Sequence, residues 1–191
     1  MTDQQAAALA SSGFLARLGR LDPSGLAQLR RAAGQPLAEA HGGYSVFFTL
    51  LPPSVERLRE QERYFLVATL YALTTRSGEH ARQHSGVSLG MALGRVRQAQ
   101  LAATGQRADA RTSLDRRFAA LCDADADQLP FRLRQIVRLI YAQNQTLDWE
   151  RLLRDLGAWQ HPEHYIQRRW MREYYVGKQD LQLMSNKEQT L

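Results

Sequence analysis

Arginine is the residue type in this sequence with the clearest capacity for binding chemistry. All but two of the 25 lysine and arginine residues are arginine, and the exceptions, Lys178 and Lys187, stand near the C-terminus. A guanidinium group presents a planar fork of N–H donors that fits a phosphate and can stack on a base. A GC-rich genome would also enrich arginine, so composition alone leaves both interpretations open. The placement of the arginines therefore carries more information than their number.

Spacing distinguishes two groups among the arginines, although it does not place all of them, because helical side chains meet at three or four positions apart. One group has an acidic residue at that distance and is expected to form ordinary surface ion pairs: Arg59, Arg63, Arg111, Arg151, Arg154 and Arg169. The other group has none: Arg17, Arg30, Arg31, Arg95, Arg97, Arg116, Arg117, Arg132, Arg134, Arg138, Arg168 and Arg172. The second group must be compensated from outside its own helices, either by carboxylates of another helix or by phosphates.

The segment "LPFRLRQIVRLIY" (129–141) concentrates this pattern. Its apolar residues recur at helical spacing and predict a helix with one buried face. Arg134 and Arg138 lie about 40° apart around such a helix, and this like-charge pair costs about 0.2–0.5 kcal/mol when the helix is isolated. Arg132 projects elsewhere. Arg168 and Arg172 form a second like-charge pair at i,i+4, and each pair is expected to be compensated from outside its own helix, by carboxylates or by phosphates.

Residue combinations typical of catalysis or metal binding are missing or poorly placed. His80 and His84 have i,i+4 spacing without the glutamate of an HExxH motif, and His161 and His164 flank a proline at an expected helix start. There is no P-loop, dinucleotide-binding glycine fingerprint or GxSxG elbow. We predict no catalytic residue, no metal site, no cofactor and no small-molecule substrate.

Smaller features have structural explanations. Cys122, the only cysteine, is expected to be a small core residue, and the acidic run 123–127 to be a capped helix junction. Gly86, Gly90 and Gly94 repeat every four residues, which favours a close helix crossing. The aromatic residues near the C-terminus suit a core: Trp149, Trp159, Trp170, Tyr174 and Tyr175.

The bulk properties fit a polyanion-binding protein. The formal net charge is +6 and the pI about 9.9, so the surface is electropositive at cellular pH. A lone cysteine indicates no disulfide framework, and no apolar run reaches the ~20 residues that span a bilayer. The N-terminus lacks the basic start of a secretory signal. We expect a cytoplasmic protein without membrane contact.

The pattern along the chain predicts an all-α fold: a compact bundle of about eight to nine helices, or two packed helical sub-bundles. Asp22 and Pro23 are expected to begin one helix as N-cap and first residue. The predicted organisation is an N-terminal helical half (1–80), a C-terminal helical bundle (81–177) and a mobile tail (178–191). Helices of the second half are expected near 87–101, 109–123, 129–144, 148–158 and 162–176.

A set of segments occurs in an order that resembles one known family. The segments are "SGLAQLRRAAG" (24–34), "VFFTLLP" (46–52), "SLGMALGRV" (88–96), "LDRRFAALCDAD" (114–125), "LPFRLRQIVRLIY" (129–141), "LDWERLLRDLGAW" (147–159) and "RRWMREYY" (168–175). Together they resemble the CasB family, the small subunit of the type I-E CRISPR surveillance complex Cascade.

The resemblance implies a non-catalytic, all-helical subunit present in two copies. Its implied partners are guide RNA, target DNA and the other Cascade subunits, including a second copy of itself, and its implied role is to stabilise the R-loop and the displaced strand. The basic positions within the matching segments are the implied nucleic-acid contacts: Arg30, Arg31, Arg116, Arg117, Arg132, Arg134 and Arg138.

Two other functions remain open from the residues. The arginines could meet acidic faces of partner proteins in a helical assembly subunit that touches no nucleic acid. A nuclease is disfavoured, because the sequence offers no cluster of carboxylates in a plausible context.

Overall fold

The computed structural model describes residues 3–75, 86–107 and 109–176, and these residues are helical without a strand. The all-α prediction is confirmed. The α-helices are α1 (Asp3–Leu18), α2 (Pro23–Arg31), α3 (Tyr44–Leu50), α4 (Leu58–Thr74), α5 (Leu89–Thr104), α6 (Ser113–Cys122), α7 (Leu129–Ala142), α8 (Trp149–Gly157) and α9 (Tyr165–Tyr175). Two short 3-10 helices, Leu37–Glu39 and His41–Gly43, connect α2 to α3.

The helices divide into two compact units. The N-terminal unit contains α1 to α4 together with α8, and the C-terminal unit contains α5, α6, α7 and α9. Helix α8 lies within residues 81–177, which the sequence predicts to form the C-terminal bundle, yet it packs against α1 and α4. Trp149 at its start meets the ring of Tyr71 with centroids 5.6 Å apart.

Polar caps fix where several helices begin. Asp22 Oδ1 accepts a hydrogen bond from the Gly25 amide at 2.7 Å, with Pro23 as the first helical residue, so the predicted start of α2 is confirmed. Asp148 Oδ1 similarly accepts from the Arg151 amide at 2.9 Å. Each such cap contributes about 1 kcal/mol by pairing an amide that the helix itself leaves free.

Helix α9 begins later than its sequence predicts. The sequence predicts Pro162 as its first residue, but the first helical residue is Tyr165, three positions further along the chain. His164 separates the two with a φ of 48°, in the left-handed region. The chain therefore turns at His164 before the helix can start.

Aromatic residues fill the interior of the N-terminal unit. Phe14 of α1 and Tyr64 of α4 meet edge to face with centroids 4.8 Å apart, and Phe47 of α3 meets Phe65 of α4 at 5.2 Å. Such pairs contribute ~0.5–1.5 kcal/mol beyond the area they bury. They fix α1 and α3 against α4, which is the central helix of this unit.

The C-terminal unit is organised by a close crossing of α5 and α9. A Cβ atom on Gly90 would lie 2.5 Å from the carbonyl oxygen of Trp170, and one on Gly94 would lie 2.8 Å from that of Tyr174. Only glycine permits this approach, so the predicted crossing is confirmed for both glycines. Gly86 takes no part in it, because a Cβ atom there would have nothing within 4 Å.

The remaining structural expectations can be compared with the described residues. Cys122 is buried in the core as expected, and burial raises the pKa of its thiol to about 12. Within the described ranges no cluster of histidine, cysteine or acidic residues could hold a metal ion, and no helix there could cross a bilayer. His80, His84 and the predicted tail 178–191 lie outside the described residues.

Candidate nucleic-acid interface

The strongest candidate surface lies on α6 and α7, which pack against each other in the C-terminal unit. Arg116 and Arg117 of α6 and Arg138 of α7 are exposed, and Arg134 is half-buried. In the part of the chain that the structure describes, these four side chains have no hydrogen-bond or ion-pair partner. The two helices therefore present several uncompensated guanidinium groups.

Asp115, the one acidic residue of α6 and α7, cannot neutralise those groups. Its Oδ1 atom is 2.9 Å from Arg97 Nε and accepts a hydrogen bond from the Tyr174 hydroxyl at 2.7 Å. Its Oδ2 atom completes a capping box with Thr112 at the start of α6. The carboxylate is thus buried and fully used inside the protein.

Hydrogen bonding determines the ionisation of Asp115. Burial alone would raise its pKa, but hydrogen bonds from Thr112, Tyr174 and Arg97 outweigh that effect and hold the pKa below its usual value. Tyr174 responds in the opposite direction: burial, and the hydrogen bond to Asp115, raise the pKa of its hydroxyl. The carboxylate therefore remains charged at neutral pH.

Arg97 has no acidic residue at i±3 or i±4, but the tertiary structure supplies its partners. Besides Asp115, its guanidinium donates to the Ala110 carbonyl at 3.2 Å and lies 5.8 and 5.4 Å from the ring centroids of Tyr174 and Tyr175. The expected pairing of Arg111 with Asp115 is wrong, because Asp115 faces Arg97 instead. The expected pair Arg169 and Glu173 is present at 4.0 Å.

Arg134 has an unusual environment within the candidate surface. Its Nε atom is buried and has no hydrogen-bond acceptor. Leaving a buried donor unpaired costs about 1–3 kcal/mol, and more for a charged group. Since Arg138 lies about 40° away around the same helix, an anion bound between the two would meet both charges.

Arg132 behaves differently from its neighbours on α7. Its Nε and Nη2 atoms donate to the Gln128 side-chain oxygen at 3.2 and 2.9 Å, one helical turn earlier. This guanidinium is therefore held against the start of α7.

Arg30 and Arg31, in the N-terminal unit, have different environments although they are adjacent in sequence. Arg30 donates from Nε to the Ala72 carbonyl at 2.9 Å and from Nη2 to the Thr75 carbonyl at 2.8 Å. It therefore satisfies the carbonyls at the C-terminal end of α4, where the helix dipole also favours a cation. Arg31 is exposed and has no side-chain partner among the described residues.

Phe131 is a residue of this surface that the sequence analysis did not single out. Its side chain is 62% exposed, although it stands two residues from the buried Leu129 and Leu133. At 100° per residue it lies about 20° from Arg138 and about 60° from Arg134 around α7. Its angular position opposite the apolar stripe was available in the sequence and could have identified it.

The comparisons with known proteins agree with this architecture. Residues 25–175 match the family model for the CRISPR-associated protein Cse2. A CRISPR-associated protein Cse2 from Thermus thermophilus is 37% identical over 150 residues, which cover 76% of this chain and 78% of the relative.

Solved structures extend the similarity to the fold. A Cse2-family protein from Thermus thermophilus has a TM-score of 0.69 at 34% identity, covering 86% of this chain and 97% of that one. CasB from M. ruber has a TM-score of 0.67 at 32% identity, covering 95% and 97%. A chain of a CRISPR RNA-guided surveillance complex, 20% identical, shares the fold with a TM-score of 0.69 and covers 95% and 98%. The chain belongs to the Cse2 (CasB) family of CRISPR-associated proteins.

Proposed function

We propose that this chain is a non-catalytic architectural subunit of a CRISPR RNA-guided surveillance complex and that it binds nucleic-acid backbones. The observation that carries the proposal is the set of guanidinium groups on α6 and α7 that lack partners among the described residues: Arg116, Arg117, Arg134 and Arg138. Family membership supports the assembly, and the shared fold with a chain of a surveillance complex is consistent with it.

The physical role follows from the near-balance of strand exchange. Replacing a DNA duplex by an RNA–DNA heteroduplex roughly conserves pairing energy, so modest protein contacts to the strands decide the outcome. Arginine contacts to phosphate provide affinity without sequence preference, which suits a complex whose guide changes. The proposed partners are accordingly guide RNA, target and displaced DNA, the other subunits and a second copy of this chain.

The seven arginines of the matching segments are not expected to contribute equally. Arg31, Arg116, Arg117, Arg134 and Arg138 have donors available for phosphate. Arg30 and Arg132 already donate to protein oxygens, so a phosphate would have to share or displace those bonds. We expect these two to add little to binding.

The proposal is tested by removing the four arginines of α6 and α7 together. Arg116, Arg117, Arg134 and Arg138 are changed to alanine in the full chain, and the complex is reconstituted with each version. The variant is expected to lower affinity for single-stranded DNA at least ~100-fold and to shorten the lifetime of the R-loop, because each lost phosphate contact removes part of a dominant electrostatic term.

A variant with the same change in charge provides the control. Arg59, Arg107, Arg111 and Arg154 are exposed, and their replacement by alanine removes four charges from other surfaces. If both variants lose binding equally, net charge rather than the α6–α7 surface carries it, and the site assignment fails. If the wild-type chain binds no DNA at low salt while the complex still assembles, the chain is an assembly subunit that touches no nucleic acid.

A further inference from the structure

The ring of Phe131 is mostly exposed and is not among the buried residues of α7. The buried face of α7 is formed by Leu129, Leu133, Ile136, Val137 and Ile140. Phe131 lies on the opposite side, where its 62% exposure leaves most of an aromatic side chain in contact with water. A single exposed apolar residue is common on protein surfaces, so its neighbours decide whether it has a function.

The residues that follow Phe131 on this face of α7 are cationic and polar. Arg134 and Arg138 follow at i+3 and i+7, and Gln135, also exposed, follows at i+4. Helix α7 contains no acidic residue. An aromatic ring and two guanidinium groups without partners in the described chain therefore lie along one helical stripe that is about 10 Å long.

This combination matches the chemistry of single strands better than that of a duplex. In a duplex each base is stacked on its neighbours, so an aromatic side chain meets only phosphates and groove edges. In a single strand the base faces are open, and an aromatic ring beside a cationic track stacks on them with little regard to sequence. A ring standing within one or two helical turns of two phosphate-binding groups has this arrangement.

We propose that Phe131 stacks on an unpaired base of a single strand whose phosphates are bound by Arg134 and Arg138. The inference rests on the proposed function and makes it more specific, since it names unpaired nucleic acid as the ligand of this face. A protein partner is less suited to the surface, because Phe131 is the one large apolar residue among the exposed side chains of α7. A buried protein contact would need a broader apolar centre.

The first experiment separates bases from phosphates. Binding of the full chain is measured to a single-stranded oligothymidylate and to an abasic oligomer with the same number of phosphates. The wild-type chain is expected to prefer the base-containing strand at least about fivefold, and Phe131→Ala to reduce that ratio towards one. Phe48→Ala, which removes another exposed ring of 48% exposure in the N-terminal unit, should leave the ratio unchanged.

Arginine variants distinguish failure of this inference from failure of the proposed function. Replacing Arg134 and Arg138 by alanine should weaken binding to both oligomers by similar factors, because both contain phosphates. If that loss occurs while Phe131→Ala keeps the wild-type ratio, stacking is refuted and backbone binding stands. If the wild-type chain binds neither oligomer, both ideas fail.

A fluorescence experiment reports on the ring itself. The native indoles of Trp149, Trp159 and Trp170 are buried, so Phe131→Trp adds a solvent-exposed fluorophore to a protected background. Addition of oligothymidylate should quench the added emission, whereas saturating abasic oligomer should leave it nearly unchanged. Equal quenching by both polymers, or none by either under saturating conditions, would overturn the stacking proposal.

Discussion

Replacement of Asp115 by alanine is expected to destabilise the C-terminal unit by about 3–5 kcal/mol. The carboxylate binds the Arg97 guanidinium at 2.9 Å, accepts from the Tyr174 hydroxyl at 2.7 Å and caps α6 through Thr112. Its loss takes this carboxylate away from the buried guanidinium of Arg97. The lower part of the range applies if the rings of Tyr174 and Tyr175 retain that guanidinium.

The assay is urea unfolding at pH 7, followed by far-UV circular dichroism, within a double-mutant cycle that includes Arg97→Met. Because Asp115 and Arg97 depend on each other, the double variant should be more stable than the sum of the two single losses implies, by at least ~1 kcal/mol. Additive losses, or a loss below ~1 kcal/mol for Asp115→Ala, would refute the importance of this buried pair.

The lowered pKa of Asp115 also predicts how the stability of the protein depends on pH. Its pKa in the folded protein lies below the ordinary value of 3.8, so the unfolded chain takes up a proton first as the pH falls. The stabilisation from ionised Asp115 is therefore complete above that ordinary value and is lost as the pH falls through the lower, folded pKa. Asp115→Ala should flatten the acid branch of the stability curve, and an unchanged branch would contradict this.

Three further predictions concern other parts of the fold. Gly90→Ala should destabilise the protein by about 1–3 kcal/mol, because the added Cβ would meet the α9 backbone. Gly13→Ala should be neutral or mildly stabilising, because the space around Gly13 accommodates a Cβ atom. Thermal melts of the two variants compare them directly. Arg30→Ala should cost ~1–3 kcal/mol through lost bonds to the α4 carbonyls, and Arg31→Ala less than ~0.5 kcal/mol; similar unfolding midpoints would contradict the capping role. Cys122 should resist thiol reagents at pH 8 until urea unfolds the protein, and rapid native labelling would disprove its burial.

The helices and one tertiary contact were predictable from local rules. Asp22 caps α2 because its side chain accepts a hydrogen bond from a free amide of the first turn, and Pro23 suits the first helical position because it has no amide hydrogen to leave unpaired. Both preferences are local and do not depend on how the helix packs. The i,i+4 spacing of Gly90 and Gly94 likewise predicted a close crossing, since two missing side chains on one face leave room for a backbone. It could not identify α9 as the partner helix.

The partners of individual arginines were less predictable, because they lie far along the chain. Charge spacing suggests carboxylates and phosphates as acceptors, but Arg17 donates to the Leu50 carbonyl and Arg30 to carbonyls at the end of α4. Helix ends supply free carbonyls that a charge count overlooks. Asp115 of α6 pairs with Arg97 of α5. Local spacing instead predicts Arg111 as the partner of Asp115.

The packing of α8 likewise depends on residues that lie far away in the sequence. Its amphipathic pattern predicted a helix that must bury one face, and the structure buries Trp149, Leu152, Leu153 and Leu156. The apolar stripe itself does not specify which helices cover it. Chain order favoured its sequence neighbours, whereas α1 and α4 of the N-terminal unit provide the contact.

The salt dependence of single-strand binding tests the central claim most directly. The logarithm of the association constant of the full chain is plotted against the logarithm of salt concentration for the wild type and for the variant lacking Arg116, Arg117, Arg134 and Arg138. Each phosphate contact to a single strand contributes a slope of about −0.7, so loss of four contacts should make the slope shallower by roughly 3. Parallel lines would contradict the account, because the four arginines would then release no counterions on binding.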